Sequence, residues 1–150
     1  MKSFKTLFTA ILIALISQTA FAQVAEKTLV KSFNLKGQQL VVLNLEGDVQ
    51  VQEWNNDIMR IQMGISIPNV HTTTLKSLVQ AGRYHLRSKV EEDSYLVYAP
   101  GLEKEVKIRG QKLNEKITYT VYAPRNVLVK MADEASTSNA ELGTKMPSSL

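Results

Sequence analysis

Met59-Arg60-Ile61-Gln62-Met63-Gly64-Ile65-Ser66-Ile67 decides the fold class. Successive side chains of a β-strand point to opposite faces, so one face here collects Met59, Ile61, Met63, Ile65 and Ile67 while the other collects Arg60, Gln62, Gly64 and Ser66. A helix would scatter the same apolar residues around its axis. The stretch therefore predicts a long strand with one buried face, closed by Pro68-Asn69.

Upstream, Leu40 to Leu45 is apolar on both faces and predicts a central strand, and Gly47-Asp48 turns the chain into Val49 and Val51. Asn55-Asn56-Asp57 supplies the next turn, so three consecutive strands read as an antiparallel meander. Downstream, Leu75, Leu78 and Val79 recur at helical spacing, which predicts a helix within Val70 to Ala81, capped by Asn69 or one of Thr72 to Thr74 and stopped by Gly82. Alternation resumes at Tyr84, Leu86 and Val90, turns at Glu91-Glu92-Asp93, and returns through Tyr95, Val97 and Ala99. Shorter strands are predicted at 106–108, 117–123 and 127–131.

An internal echo, Tyr95-Leu96-Val97-Tyr98-Ala99-Pro100 and Tyr119-Thr120-Val121-Tyr122-Ala123-Pro124, shares five of six residues at a spacing of 24. It fits the first and third strands of a meander, or one coil of a β-solenoid, although two copies are fewer than a stacked array needs. The expected fold is mainly β, with antiparallel meander or sandwich-like sheets and one short helix; a short β-solenoid is the alternative.

The N-terminus carries positive charge at Lys2 and Lys5, an apolar run from Leu7 to Ile16, and Ala20-Phe21-Ala22, the order expected of a cleavable export signal. The run is too short for a bilayer, which takes roughly 20 residues of helix. This predicts a signal peptide at 1–22, a single β-rich domain at 23–132 starting at Gln23, and a flexible tail at 133–150 rich in Ser, Thr, Ala and Asn, the product being soluble in the periplasm or outside the cell. Losing Lys2 and Lys5 lowers the formal charge of +4 by two, so the exported domain is nearly neutral and nucleic acid is not an expected partner. The chain has no cysteine. That excludes disulfide cross-links, thiolate catalysis and thiolate metal sites.

The segment LNLEGDVQVQEW, running into NDIMRIQMGISIP, resembles the opening of the adhesin-like, β-strand-repeat domains of unknown function found in exported bacterial envelope proteins. ITYTVYAPRNVLVKM is similar to their later strands, in which a Pro turn separates two Val-rich segments. The resemblance spans roughly residues 33 to 131 and implies a binding or envelope-structural role. The longer repetitive β region such proteins often carry does not follow.

Groups for catalysis are sparse. His71 falls at the helix start, and His85 stands beside Arg87 and Lys89, where cationic neighbours disfavour a proton-accepting or metal-binding imidazole. Ser32, Ser66, Ser77, Ser88 and Ser94 lack the Gly-x-Ser-x-Gly setting. Glu91-Glu92-Asp93 reads as a polar turn, without the ligand pattern of a calcium loop. Trp54 ends a strand beside a turn: an exposed ring there would suit carbohydrate stacking, while the favoured expectation is a ring that caps the core with its N–H finding an acceptor at the rim. No catalytic, cofactor or metal residue is predicted. By strand parity Arg87 and Lys89 point outward, as do Lys107 and Arg109; they read first as a solvated sheet face balanced by Glu103, Glu105 and Glu91 to Asp93, but if the strands are neighbours they merge into a basic patch facing an anionic envelope glycan or protein surface. The expected function is thus a non-enzymatic, adhesin-like binding or envelope-structural module. The two alternatives are a secreted hydrolase with a dispersed site, marked by a Ser or carboxylate gathered with a histidine, and a lipid or small-ligand carrier, marked by an apolar cavity between sheet and helix.

Overall fold

The computed structural model of the chain describes residues 23–133; the expected signal peptide at 1–22 and residues 134–150 of the expected tail lie outside the described residues. The strand that decides the fold class spans Met59–Pro68 and buries alternate residues from Met59 to Ile67, as its pattern requires. Including it, the described chain runs β1 (Val24–Phe33), β2 (Leu40–Asn44), β3 (Asp48–Trp54), β4 (Met59–Pro68), α1 (Thr72–Gln80), β5 (Arg87–Glu91), β6 (Ser94–Tyr98), β7 (Lys107–Ile108), β8 (Gln111–Lys112), β9 (Lys116–Pro124) and β10 (Leu128–Met131). The fold is mainly β with one short helix.

Two four-stranded sheets, ordered β1-β4-β9-β3 and β10-β2-β6-β5, bury a common core, and β7-β8 forms a separate hairpin. Met59, Ile61, Met63, Tyr119 and Val121 from the first sheet meet Val41, Leu43, Tyr95 and Val97 from the second, all 5% exposed or less. Each such side chain contributes roughly 1.5–3 kcal/mol on burial, the main force holding a chain without disulfides. Helix α1 packs beside β1 and buries Leu75.

The pairing is mixed rather than a meander. β1-β4, β4-β9 and β5-β6 are antiparallel, whereas β10-β2, β2-β6 and β3-β9 are parallel. β2, β3 and β4 do not pair in succession: β2 lies in the second sheet, and β9 separates β3 from β4. Leu45-Glu46-Gly47 is a crossing between sheets, not a hairpin turn. Gly47 has φ +135°, and a Cβ there would stand 2.5 Å from the Ile117 carbonyl oxygen, so the crossing needs glycine. The echo is corrected similarly. Tyr95–Tyr98 lies in the second sheet and Tyr119–Pro124 in the first, so the two copies are neither meander partners nor stacked coils. They are alike because each fills a central strand facing the same core, with Tyr95 and Val97 opposite Tyr119 and Val121 in role.

Local departures have local causes. β1 has no counterpart in the sequence reading, because Glu26, Lys27 and Lys31 interrupt its alternation and it buries only Ala25 and Phe33. Strand β5 begins at Arg87, later than Tyr84, and all five of its residues are exposed, Val90 included, since β5 is the sheet's edge. Tyr84 and Leu86 are buried from the connection instead. His71, not Asn69 or a threonine, caps α1, without a side-chain hydrogen bond. At the other end Gly82 (φ +81°) closes the helix as predicted: Gly82 N donates to Val79 O at 3.0 Å and Arg83 N to Leu78 O at 3.1 Å.

Candidate anion-binding surface

The helix stop sets the first functional side chain. By turning at Gly82 the chain aims Arg83 across the connection between β6 and β9, where its Nε and Nη2 donate to the two Glu115 carboxylate oxygens at 2.9 and 2.6 Å. Nη1 donates to the carbonyls of Gly101 (3.0 Å) and Lys104 (2.9 Å). Tyr84 Oη donates to the same carboxylate. The Arg83 and Glu115 side chains are 9% and 8% exposed, so this fork-on-fork pair is desolvated as well as bidentate. Hydrogen bonding to Glu115 raises the Arg83 pKa further, and burial followed by the Glu115 bond raises that of Tyr84. A Cβ at Gly101 would stand 2.2 Å from the Arg83 carbonyl oxygen, so glycine lets the connection press against Arg83.

That pinned connection forms one wall of a cleft of about 600 Å³, whose other wall is the end of α1 and the approach to β5. Arg83, His85, Arg87 and Lys104 line it together with apolar Leu78 and Val106, and no carboxylate does. Arg83 is neutralised by Glu115. Arg87 and Lys104 form no ion pair with any described residue, so the cleft keeps two uncompensated cations with His85 beside them. A second cleft of about 550 Å³ on the other side of Lys104 is mixed in sign, with Glu46, Glu103 and Glu105 beside Lys104 and Lys112.

The four residues expected to form one basic patch are distributed. On β5, Arg87 is opposite Tyr98 and Lys89 opposite Leu96, the outward face, while Ser88 and Val90 share the core face with Val97 and Tyr95. Their predicted parity is observed. Lys89 pairs with the neighbouring Glu91 carboxylate, which raises its pKa. Lys107 lies on the β7-β8 hairpin, 3.4 Å from Glu105. Arg109 is not a strand residue: with φ +52° beside Gly110 at +79° it makes the two-residue hairpin turn, and it lines a different cleft of about 320 Å³ with His71 and Lys112. β5 and the hairpin belong to different sheets. Sequence parity found Arg87 but passed over Lys104, whose loop is tied to the β5 side by hydrogen bonds from Arg83 to the Gly101 and Lys104 carbonyls. No local pattern announces that contact.

The two histidines line different clefts, and among the described residues no group of His, Asp and Glu is placed to hold a metal ion. Trp54 does find the expected acceptor, Nε1 donating to Ile58 O at 2.9 Å. Its ring lies on the outer face of the first sheet, against Tyr122 (centroids 5.5 Å apart) and under the Arg60 guanidinium (4.9 Å), rather than over the core. Among the described residues no helix is long and apolar enough to cross a membrane.

No protein-family model matches this chain, and no curated protein does. Two solved structures are similar to it. One is a Bacteroides fragilis protein provisionally named an adhesin, at 13% identity and a TM-score of 0.37 over 70% of this chain. The other is a Clostridium sporogenes protein provisionally named a cell adhesion protein, at 13% identity and a TM-score of 0.39 over 71% of this chain. The present chain spans 39% and 45% of those two chains, respectively.

Proposed function

We propose that this chain is an exported, non-enzymatic binding module of the adhesin-like kind, whose cationic β5 side meets an anionic envelope glycan or protein surface. The observation that carries the reading is the cleft beside β5, lined by Arg87, Lys104 and His85 with no carboxylate among its lining residues. Cations crowded without counter-charges raise the local potential, and an incoming carboxylate, sulfate or phosphate supplies the missing charge. Lys89 lies on the same outward face of β5 but is paired with Glu91, while Lys107 and Arg109 lie apart on the β7-β8 hairpin. Lys89 and Lys107 already hold carboxylates, so Arg87 and Lys104 carry most of the affinity.

The test is binding of the exported protein to an array of sulfated, uronic-acid and neutral glycans at 50 and 500 mM salt. Arg87→Ser with Lys104→Ser weakens binding to the acidic members more than Lys89→Ser with Lys107→Ser, and high salt weakens it for the parent, because exposed charges are screened over roughly 10 Å at 0.1 M. Acidic-glycan binding unchanged by salt and by all four substitutions refutes the cationic-surface reading.

A further inference from the structure

The two sheets end together at a bare edge. Among the described residues β3 pairs only with β9, and β10 only with β2, so each leaves one side of its backbone without a ladder partner. The registers show which side chains are stranded there. Val49 and Val51 share the face of Tyr119 and Val121, and Val129 and Met131 share that of Val41 and Leu43, so all four point toward the core. Yet none of the four is buried, Val51 is 49% exposed, and all four line a cleft of about 440 Å³ between the two edges. Among the described residues nothing closes the core at this end.

The opposite end is guarded. There β1 is flanked by α1 and carries Glu26, Lys27 and Lys31, while β5 carries Arg87, Lys89 and Glu91. Edge strands are ordinarily blunted by such charges, by proline or by a covering element. Among the described residues strand β3 has none of these over its central stretch: Val49-Gln50-Val51-Gln52 holds no charge and no proline. It is also self-complementary. In an antiparallel pair about a twofold axis through Gln50, Val49 faces Val51 of the other copy on the core side. Outside, Gln50 faces Gln50 and Asp48 faces Gln52, so no like charges are opposed.

We infer that this end is a self-association interface, in which β3 of one copy pairs antiparallel with β3 of a second about Gln50. The new ladder satisfies the free β3 groups, joins two four-stranded sheets into one of eight, and brings the β10 edges together over Val49, Val51, Val129 and Met131. The inference is independent of the cationic cleft, which lies beside β5.

Two measurements test it on the full chain. Sedimentation velocity across a concentration series should show monomer converting to a species of twice the mass, with Gln50→Lys weakening the association about tenfold or more by opposing two lysines at the axis. Because the chain has no cysteine, Gln50→Cys should give an oxidised, reducible dimer at high yield, and Gln52→Cys, displaced from the axis, should not. Gln50 is exposed, so both substitutions at it leave the fold intact, which circular dichroism checks. A monomer at every concentration overturns the proposal, as does equal cross-linking from positions 50 and 52. A monomer whose β3 amides are nevertheless protected from hydrogen exchange also overturns it, and assigns the edge to residues 134–150 of the same chain.

Discussion

Arg83→Ala should destabilise the fold by about 3–5 kcal/mol, the cost of stranding a buried charge by removing its partner. The magnitude follows from what the substitution leaves behind. Glu115, whose side chain is 8% exposed, loses both guanidinium hydrogen bonds and keeps only the Tyr84 hydroxyl. The Gly101 and Lys104 carbonyls lose their donor too, but Lys104 lies at the surface, where water replaces it cheaply. Domains of this size have about 5–15 kcal/mol in all, so the loss consumes a large part of the stability. Urea unfolding followed by the fluorescence of Trp54, the chain's one tryptophan, measures it. Replacing both members, Arg83→Met with Glu115→Leu, should recover most of the loss, since the double variant strands no charge. A single-variant loss below about 1 kcal/mol would show that water screens the pair as on a surface, and the desolvation reasoning would be wrong.

Four further outcomes follow from the same packing. The Tyr119 hydroxyl is buried without a hydrogen-bond partner, so Tyr119→Phe should raise stability by about 1 kcal/mol in the same urea titration. Burial first, then Glu46 and Glu115, raises the Tyr119 pKa, and burial also leads the rise at Tyr84. Unfolded tyrosines ionise near pH 10, so the folded state keeps protons the unfolded state gives up. The stabilisation is complete below pH 10 and falls above it by up to about 1.4 kcal/mol per pH unit for each tyrosine; alkaline melts should show a shallower fall in Tyr119→Phe. Finally, Gly47→Ala should cost about 2–3 kcal/mol or more, because its φ is positive and its Cβ meets backbone at 2.5 Å. Gly64→Ala should cost less, about 1 kcal/mol by thermal melting, as its φ is unstrained and its Cβ clashes at 2.6 Å with the Thr118 hydroxyl, which must leave its rotamer.

The candidate cleft was half legible in the sequence. Arg87 and Lys89 could be assigned outward because parity along a strand is a local rule, and the β5 register bears it out. Their counterparts could not. Arg109 alternates correctly with Lys107 in sequence, but its positive φ beside Gly110 makes it a turn residue, and two short runs give alternation nothing to distinguish strand from hairpin tip. Lys104 entered the cleft through a hydrogen bond to Arg83, 21 residues away, which no local pattern encodes.

By itself the sequence determined strand character and the buried face where alternation is unbroken, as in β4, and it marked where the helix stops; the charged β1 and the short hairpin strands carry no such signal. Alternation at β4, helical spacing at Leu75, Leu78 and Val79, and the left-handed Gly82 are consequences of backbone geometry over a few residues. Only the tertiary structure decided which strands are neighbours. An apolar face is satisfied equally by a hairpin partner or by a strand across the core, so Leu45-Glu46-Gly47 reads locally as a turn while the fold uses it to cross between sheets. The choice depends on the whole core: β9 lies between β3 and β4, and its Tyr119 and Val121 are buried in one core with Val41, Leu43 and Val97 of the other sheet. That insertion leaves β3 at an edge, with Val51 half in water, a property of assembled sheets that no single segment contains.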